Sequence, residues 1–214
     1  MQGLFITGNS TDVGKTHIGE RIIRLLNPYF RVSVRKPVES DCVKTTTGLI
    51  AKDAKRLNEA CTHPEPSELV CRYRYEACVS GEKAGSDSGQ ILSLEDLIAA
   101  CQADNTNFVV VEGAGGFYSP IAKEVLNSDL AEALSFPVVL VVRDELGAVN
   151  QALMSIRAIQ QHQLNILAVV LNQISPNNLE NANAICAYTK APVVVFKEGE
   201  KGFDEQILAL VQQS

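Results

Sequence analysis

The sequence predicts an α/β fold with a mostly parallel central sheet and helices on both of its faces. Short apolar runs rich in β-branched residues recur along the chain, which is typical of strands that are covered on both sides. Segments with helical periodicity separate these runs. Because alternating strands and helices build right-handed crossovers between parallel strands, the order of the segments indicates this fold class.

Five predicted strands are short apolar runs that end in a polar or glycine-rich joint, and each predicted helix follows such a joint. Residues 32–38 alternate instead, as a half-buried strand would. In the last helix, Phe203, Ile207 and Val211 recur at helical spacing. Residues 62–90 break the alternation and are expected to form an insertion over the sheet edge, within one domain that spans residues 1–214. The predicted strands are residues 4–6, 32–38, 108–111, 138–142, 166–171 and 193–195, and the predicted helices are residues 14–26, 48–60, 94–103, 148–162, 179–189 and 203–211.

Composition excludes several functional classes. The chain has 214 residues and a net charge of −6 without a run of Lys or Arg, so nucleic-acid binding is not expected. No membrane segment is expected, because the apolar stretch 136–142 is interrupted by Pro137 and is far shorter than the roughly 20 residues of a span. The N-terminus lacks the pattern of a signal peptide. Six scattered cysteines favour reduced thiols in a cytoplasmic protein, although their number alone would also allow a disulfide framework.

The strongest chemical signal is the segment TGNSTDVGKT at residues 7–16, which follows the first predicted strand and opens the first predicted helix. Such a turn directs several backbone N–H groups at one point, where the helix dipole also favours an anion. Lys15 can then bridge the β- and γ-phosphates of a nucleotide, and the Thr16 hydroxyl can bind Mg²⁺. Five residues separate Gly8 from Gly14, where the strict motif has four. The competing interpretation is therefore a helix that begins Gly-Lys-Thr by coincidence.

Further ligands for magnesium are expected at the carboxyl ends of neighbouring strands, where parallel sheets bind ligands. Glu112 ends an apolar strand before the loop GAGG, and a carboxylate there is costly to bury without a cation. Asp53, in the helix after the second strand, is a weaker candidate that by itself is typical of a solvated position. Lys36 lies at the same edge beside Pro37, where a cation can stabilise charge on a transferred phosphoryl group. The plainer interpretation is that Glu112 and Lys36 point into solvent.

Three motifs taken together resemble the dethiobiotin synthetase family, and the resemblance extends over roughly the whole chain. They are TGNSTDVGKT at residues 7–16, RKPVESDC at 35–42 and VEGAGG at 111–116, and segments 145–150 and 171–173 are also similar. The resemblance implies a phosphate-loop NTPase fold. It also implies Mg-ATP-dependent ring closure of 7,8-diaminononanoate with CO₂, in biotin biosynthesis. The ureido ring of dethiobiotin would form through a carbamate and a mixed carbamic-phosphoric anhydride.

The resemblance further implies roles for individual residues. Lys36 and Lys15 would stabilise the charge of the carbamate and of the transferred phosphoryl group. The other implied sets are Asp12, Val13, Gly14, Lys15, Thr16 and His17 for the triphosphate of ATP; Thr16, Asp53 and Glu112 for Mg²⁺; Gly113, Ala114 and Gly115 facing nucleotide and substrate; Asn172 and Gln173 on the adenine side; Thr11 and Ser40 for the diamine or its carbamate; and Gly147, Ala148, Val149 and Asn150 for the substrate carboxylate, across the two-fold interface of a homodimer.

The sequence departs from the family pattern in three places. Asn9 and Ser10 replace the usual threonine and aspartate of the phosphate loop, residues 71–82 replace a proline-rich segment, and residues 196–199 replace a G-x-I-P loop.

Two other functions remain open, namely a partitioning or targeting ATPase switch and a degenerate nucleotide-binding protein. Ser10 stands where the switch ATPases carry a signature lysine, and the last helix is acidic where theirs is often basic. The retained phosphate-loop and strand-end residues argue against a degenerate protein.

Overall fold

Parallel strands make up the central sheet, as the alternating pattern predicts. The computed structural model describes residues 2–200 and 202–213. Its strands are β1 (Gln2–Gly8), β2 (Val32–Arg35), β3 (Val38–Glu39), β4 (Val43–Thr45), β5 (Gly48–Ile50), β6 (Tyr73–Arg74), β7 (Phe108–Gly116), β8 (Pro120–Ala122), β9 (Val125–Leu126), β10 (Val138–Arg143), β11 (Ile166–Asn172) and β12 (Val193–Phe196). Six of them form one parallel sheet in the order β12-β11-β10-β1-β7-β2, which confirms the predicted fold class.

Helices cover both faces of this sheet. Within the described residues, no helix is both long and apolar enough to cross a membrane. The helices are α1 (Lys15–Leu26), α2 (Lys52–Ala60), α3 (Ser67–Val70), α4 (Gly81–Asp87), α5 (Leu94–Ala100), α6 (Asn127–Leu134), α7 (Ala148–Gln161), α8 (Asn181–Cys186) and α9 (Gly202–Gln213).

The alternation of side chains along each strand supplies two separate cores. In β1, Leu4 and Ile6 pack in a buried cluster with the apolar faces of α1, α2 and α9. Phe5 points the other way, into a cluster that includes side chains of α5, α6 and α7. Because both faces of the sheet exclude water, the central strands are apolar throughout rather than alternately polar.

The topology brings several loops together at the carboxyl edge of the sheet. β1 lies between β7 and β10, so the loops that follow these three strands are neighbours. β2 extends this edge beyond β7, and β11 extends it beyond β10. Open parallel sheets bind ligands at this edge, and the candidate site lies there.

Two predicted elements differ from the observed ones for backbone reasons. The predicted strand 32–38 is divided, because Pro37 has no N–H to donate to a ladder, and β2 therefore ends at Arg35. The predicted helix 48–60 is wrong in its first turn, since β5 pairs there with β4 in a hairpin and α2 begins at Lys52. Gly48 has a φ of 127°, which no helix accommodates.

Residues 62–90 lie at the β2 edge of the sheet, where the insertion was expected. The segment contains α3, β6 and α4, and its backbone is tied to the end of β2. The N–H of Lys36 donates to the carbonyl of Val70 (2.8 Å), and the N–H of Tyr73 donates to the carbonyl of Pro37 (3.0 Å).

The sequence pattern did not predict α3, α4 or α6, because four to eight residues show too few turns for a periodicity to emerge. The predicted helices 94–103 and 179–189 are shorter in the structure, as α5 and α8.

All six cysteines lie within the described residues and are free thiols, so the disulfide framework that their number allows is not formed. Burial raises the pKa of Cys42 to about 11 and that of Cys61 to about 12. The thiolate is the reactive form, so burial limits both the access to these groups and their ionisation. The buried cysteines are Cys42, Cys61, Cys71 and Cys101, and the exposed ones are Cys78 and Cys186.

The native protein should therefore react rapidly with Ellman's reagent at the two exposed thiols, and at all six only after denaturation. A Cys78→Ser or Cys186→Ser variant should lose one rapid equivalent, whereas Cys101→Ser should lose none. A spectrophotometric titration measures these equivalents. Rapid reaction of a third thiol in the native protein would contradict the burial seen here.

Candidate active site

The loop between β1 and α1 leads directly into a helix N-terminus, as its motif predicts. Gly14 is the N-cap of α1 with a left-handed φ of 95°, and no side chain of the described residues caps the first amides of this helix. Uncapped amides and the helix dipole together favour an anion. A cavity of about 250 Å³ opens at this end of α1 and is lined by Asp12, Gly14, Lys15, Thr16, His17, Asp53 and Arg56.

Asn172, the last residue of β11, packs against this loop. Its buried side chain donates from Nδ2 to the carbonyl of Val13 (3.0 Å). A Cβ on Gly14 would lie 2.1 Å from the same Nδ2, so glycine is required there both by its φ and by this close approach. The next residue, Gln173, turns away from the loop and donates from Nε2 to Asp144 Oδ2 (2.9 Å).

Lys15 is buried within the phosphate loop. Its Nζ donates to the carbonyl of Ser10 (2.9 Å), which holds the ammonium inside the turn. Burial lowers the pKa of Lys15, and the carboxylate of Glu112 partly opposes this shift. The side chain is therefore placed where it would meet a phosphate bound to the loop amides.

Four side chains from different parts of the chain meet behind the loop. Nζ of Lys36 lies 2.5 Å from Glu112 Oε1 and 2.8 Å from Asp53 Oδ2. The Thr16 hydroxyl donates to the same Glu112 oxygen at 3.0 Å. Glu112 is 0% exposed and Lys36 is 4% exposed, so the interpretation that they point into solvent is wrong.

Electrostatics keep this cluster charged. Burial opposes the charge on Lys36, but Glu112 and Asp53 outweigh it and raise the pKa of this ammonium above its ordinary value. Burial likewise opposes the charge on Asp53, whereas Lys36 and Thr16 hold the pKa of this carboxyl below its ordinary value. The site thus holds the ammonium of Lys36 between the side chains of Asp53 and Glu112. Lys36 and Glu112 are the two buried members, so removal of either would leave the charge of the other without its closest partner, which is destabilising.

The oxygen atoms of this cluster fit a magnesium ion. The Thr16 hydroxyl and the Lys36 ammonium both contact Glu112 Oε1, Asp53 contacts the same ammonium, and Glu112 Oε2 is buried without a hydrogen-bond partner among the described atoms. The described residues include no group of three or more His, Cys, Asp or Glu side chains that could hold a metal. Two carboxylates and a hydroxyl suit Mg²⁺ nevertheless, because this ion keeps several waters and usually binds substrate phosphates together with one or two carboxylates.

Glu39, which the sequence analysis did not single out, positions one of these carboxylates. It is buried at the end of β3, and its two oxygens accept from the N–H groups of Asp53 (3.0 Å) and Ala54 (2.9 Å). The N-cap residue of α2, Ala51, has no side chain that could do this. Glu39 is therefore a cap supplied from outside the helix. The motif RKPVESDC contains Glu39, but the motif by itself does not indicate a contact with α2.

Asn127 holds the end of β7, and nothing in the sequence indicated this contact. The GAGG residues, which were expected to follow the strand as a loop, belong to the last part of β7. Its Oδ1 accepts from the N–H of Ala114 (3.1 Å). Its Nδ2 donates to the carbonyls of Ala114 (2.6 Å) and Gly116 (2.9 Å). The side chain is fully buried, so the shape of the GAGG loop depends on a residue that follows it along the chain.

The turn that was expected to bind the substrate carboxylate lies at the start of α7. Gly147 is the N-cap of this helix with a φ of 94°, and its first amides lack a side-chain cap within the described residues. Asn150 is exposed, with Nδ2 at 3.6 Å from the sulfur of Met154. Gln151 accepts a hydrogen bond from Asn9 of the phosphate loop. The two loops that were expected to bind nucleotide and substrate are thus in direct contact.

The remaining predicted residues lie around this centre. Thr11 is exposed beside the GAGG loop, with its Cγ2 3.8 Å from where a Cβ of Gly115 would lie. Ser40 is half-buried directly after β3. His17 turns towards the loop after β12, where its Nε2 lies 3.0 Å from Glu198. It lines the cavity at the start of α1 with its neighbours.

Comparison with solved structures reports on the fold. A ParA family ATPase from Chlorobium tepidum superposes with a TM-score of 0.58, over 99% of this chain and 92% of its own, at 13% identity. HypB, a hydrogenase maturation factor from Archaeoglobus fulgidus, superposes with a TM-score of 0.57, over 100% of this chain and 90% of its own, at 17% identity. At such low identity the likeness extends to the fold alone.

Comparison with sequence families goes further. A family model described as an AAA domain matches residues 2–196. The ATP-dependent dethiobiotin synthetase BioD of Vesicomyosocius okutanii is 53% identical over 97% of this chain and 95% of its own length. The protein of the same name from Ruthia magnifica is 54% identical over 92% of both chains. Since identity of this extent spans nearly the whole of each relative, the chain belongs to the ATP-dependent dethiobiotin synthetase family.

Proposed function

We propose that this protein catalyses the Mg-ATP-dependent ring closure of 7,8-diaminononanoate with CO₂ to form dethiobiotin. The observation that carries this proposal is the cluster of Lys36, Asp53 and Glu112 directly behind an uncapped phosphate loop. A phosphoryl transfer needs positioned cations and amides more than it needs a general base. The six free thiols are in keeping with a cytoplasmic location.

The phosphate loop is assigned to the triphosphate of ATP. The first amides of α1 would hold phosphate oxygens, and Lys15 would neutralise the β- and γ-phosphates. Thr16, Asp53 and Glu112 would hold Mg²⁺, which supplies charge neutralisation on the transferred phosphoryl group. Asn172 would support the loop on the adenine side through its bond to the Val13 carbonyl.

The reaction requires three bond-forming steps. One amine of the diamine adds to CO₂ and loses a proton, which gives a carbamate. A carbamate oxygen then attacks the γ-phosphorus of ATP, the bond to the bridging oxygen breaks, and ADP leaves. The second amine attacks the carbamoyl carbon of the resulting mixed anhydride, loses a proton and expels phosphate as the ring closes. Lys36, held at the carboxyl edge of the sheet, would stabilise the negative charge of the carbamate and of the transferred phosphoryl group.

The substrate carboxylate is assigned to the start of α7. Gly147 and Val149 would present backbone amides to it, and Asn150 would donate from its side chain. Ala148, whose own N–H is bonded to the Glu145 carbonyl, would line the turn. Thr11 and Ser40 would contact the diamine end near the GAGG loop. The carboxylate end of the substrate would lie at the α7 start of one protomer, and its diamine end would lie near the phosphate loop and the GAGG loop of the partner protomer.

We further propose a homodimer in which α7 lies at the interface and each protomer completes the substrate site of the other. Leu146 is 88% exposed and Met154 is 65% exposed, and with Asn150 they follow a four-residue spacing along the start of α7. Tyr118, 47% exposed, lies near the other end of this helix, 5.8 Å from the ring of His162. An exposed apolar stripe of this kind is typical of a surface that a second protein covers.

The proposed function is tested by measuring ADP release from the purified protein with ATP, Mg²⁺ and bicarbonate, with and without 7,8-diaminononanoate. We expect release that depends on the diamine, together with the cyclic urea as product in a mass spectrum. Release without the diamine would instead support a switch ATPase. Bound ATP without turnover would support a degenerate nucleotide-binding protein.

Substitution of Lys36 should separate catalysis from nucleotide binding. Lys36→Ala should lower kcat by about 100-fold or more, because one preorganised charge at a phosphoryl-transfer site contributes about this much. The Tm of the variant should fall, because Glu112 loses its buried partner, but the Kd of the folded variant for ATP, measured by calorimetry, should change little. Lys83→Ala, which removes an exposed lysine paired with Asp87 on α4, is the matched control and should keep normal kcat. Normal turnover of the Lys36 variant would exclude the role given to it.

The interface should be sensitive to charge and size along α7. Met154→Glu should shift the protein towards monomer in sedimentation experiments and raise the KM for the diamine, since a charge on an apolar contact must be desolvated. Ile91→Glu, at an equally exposed apolar residue before α5, should do neither.

Asn150→Trp should raise the KM for the diamine without altering the Kd for ATP. If the KM for the diamine is unchanged in both Met154→Glu and Asn150→Trp, the assignment of the substrate site to α7 is excluded.

A further inference from the structure

Asp144, directly after β10, is surrounded by side-chain amides. Its Oδ2 accepts from Gln173 Nε2 (2.9 Å) and from Asn177 Nδ2 (3.2 Å), and its Oδ1 accepts from Asn181 Nδ2 (2.7 Å). Its own backbone N–H donates to the carbonyl of Asn172 (3.0 Å). One carboxylate thus joins the end of β10 to β11, to the loop that follows β11 and to the start of α8.

The same amides also hold the backbone that leads into α7. Asn177 Nδ2 donates to the carbonyl of Asp144 itself (3.0 Å), and Asn181 Nδ2 donates to the carbonyl of Glu145 (3.2 Å). The Glu145 carbonyl accepts in addition from the N–H of Ala148 (3.0 Å), which closes the turn at the helix start. The path of the chain from β10 to α7 is therefore fixed by two asparagines that follow β11.

We propose that Asp144 is a positioning residue for substrate binding. It sets the place of the α7 N-terminus by holding residues 144–148 against the loop after β11. This inference rests on the proposed function, in which the first turn of α7 binds the carboxylate of the diamine. A helix start displaced by about 1 Å would misalign its amides, and a misplacement of that size can cost up to about 100-fold in activity.

Charge alone predicts the opposite effect, which makes the proposal testable. Asp144 carries a negative charge near the turn that would receive an anionic group. Its removal would therefore strengthen binding of a carboxylate if Coulomb repulsion were its only contribution. Loss of positioning weakens the same binding. The direction of the change in KM for the diamine thus distinguishes the two contributions.

Glu145 provides a matched control. It carries the same charge and is one residue nearer to Gly147 along the chain. Its side chain pairs with Arg143 (3.3 Å) and takes no part in the amide cluster, to which it contributes only its backbone carbonyl. Replacing it by alanine removes a charge from this turn and leaves the hydrogen bonds of the turn in place.

The experiment compares Asp144→Ala and Glu145→Ala with the wild-type protein by steady-state kinetics and by calorimetric titration with an ATP analogue. For Asp144→Ala we expect the KM for the diamine to rise by about tenfold or more, with kcat changed by less than about threefold. For Glu145→Ala we expect an equal or lower KM. Asp144→Asn, which keeps one acceptor oxygen, should give an intermediate KM.

Three results with the variants would overturn the proposal. One is an unchanged or lower KM for the diamine in folded Asp144→Ala. Another is a loss of kcat at constant KM. If Asp144→Ala does not fold, Asn177→Ala and Asn181→Ala each remove one partner of the cluster, and a lower Tm without a higher KM in both would be the third. A wild-type protein without diamine-dependent ADP release would overturn the proposed function and this inference together, whereas the other results leave the proposed function intact.

Discussion

The ion pair between Lys36 and Glu112 is the constraint on which the site depends. Both side chains are buried, and neither would be tolerated there without the other, because an unpaired charge in the interior is strongly destabilising. Their contact requires β2 and β7 to be neighbours in register, and Asp53 joins them only because Glu39 fixes the start of α2. The ammonium that is proposed to stabilise the transferred phosphoryl group is thereby held at the edge of the sheet, in an environment that keeps it charged.

The same edge also offers two helix starts for anions. Gly14 and Gly147 adopt the left-handed conformation directly before α1 and α7, and the amides that follow them lack side-chain caps among the described residues. One end is proposed for phosphate and the other for a carboxylate. Asn9 and Gln151 join the two, and Asp144 joins the second to the strand that supports the first. A net charge of −6 does not prevent anion binding, because the groups that surround a bound anion determine its binding more than the net charge of the protein does.

The differences between predicted and observed structure have identifiable physical causes. Apolar runs predicted five strands of the central sheet, because burial on both faces leaves a strong compositional signal. Alternation predicted β2 as a half-buried strand, which is wrong in its burial, since all four residues of β2 are buried. Residues 48–50 were assigned to a helix because the apolar pattern continues smoothly into α2, although the φ of Gly48 and the pairing of β5 with β4 place them in a hairpin. Asn127 and Glu39 act through contacts with other segments of the chain. The pattern around either residue does not show such a contact.

The sequence by itself determined the fold class, the phosphate loop, the reduced cysteines and the family, because each of these depends on residues that are adjacent or regularly spaced along the chain. Only the tertiary structure decided that Lys36 lies between Asp53 and Glu112, that Asn172 supports the phosphate loop and that Asp144 holds the start of α7. These contacts join residues that are many positions apart in sequence. They form only when strand order and register bring the residues together, and hydrophobic burial across the whole sheet determines that order.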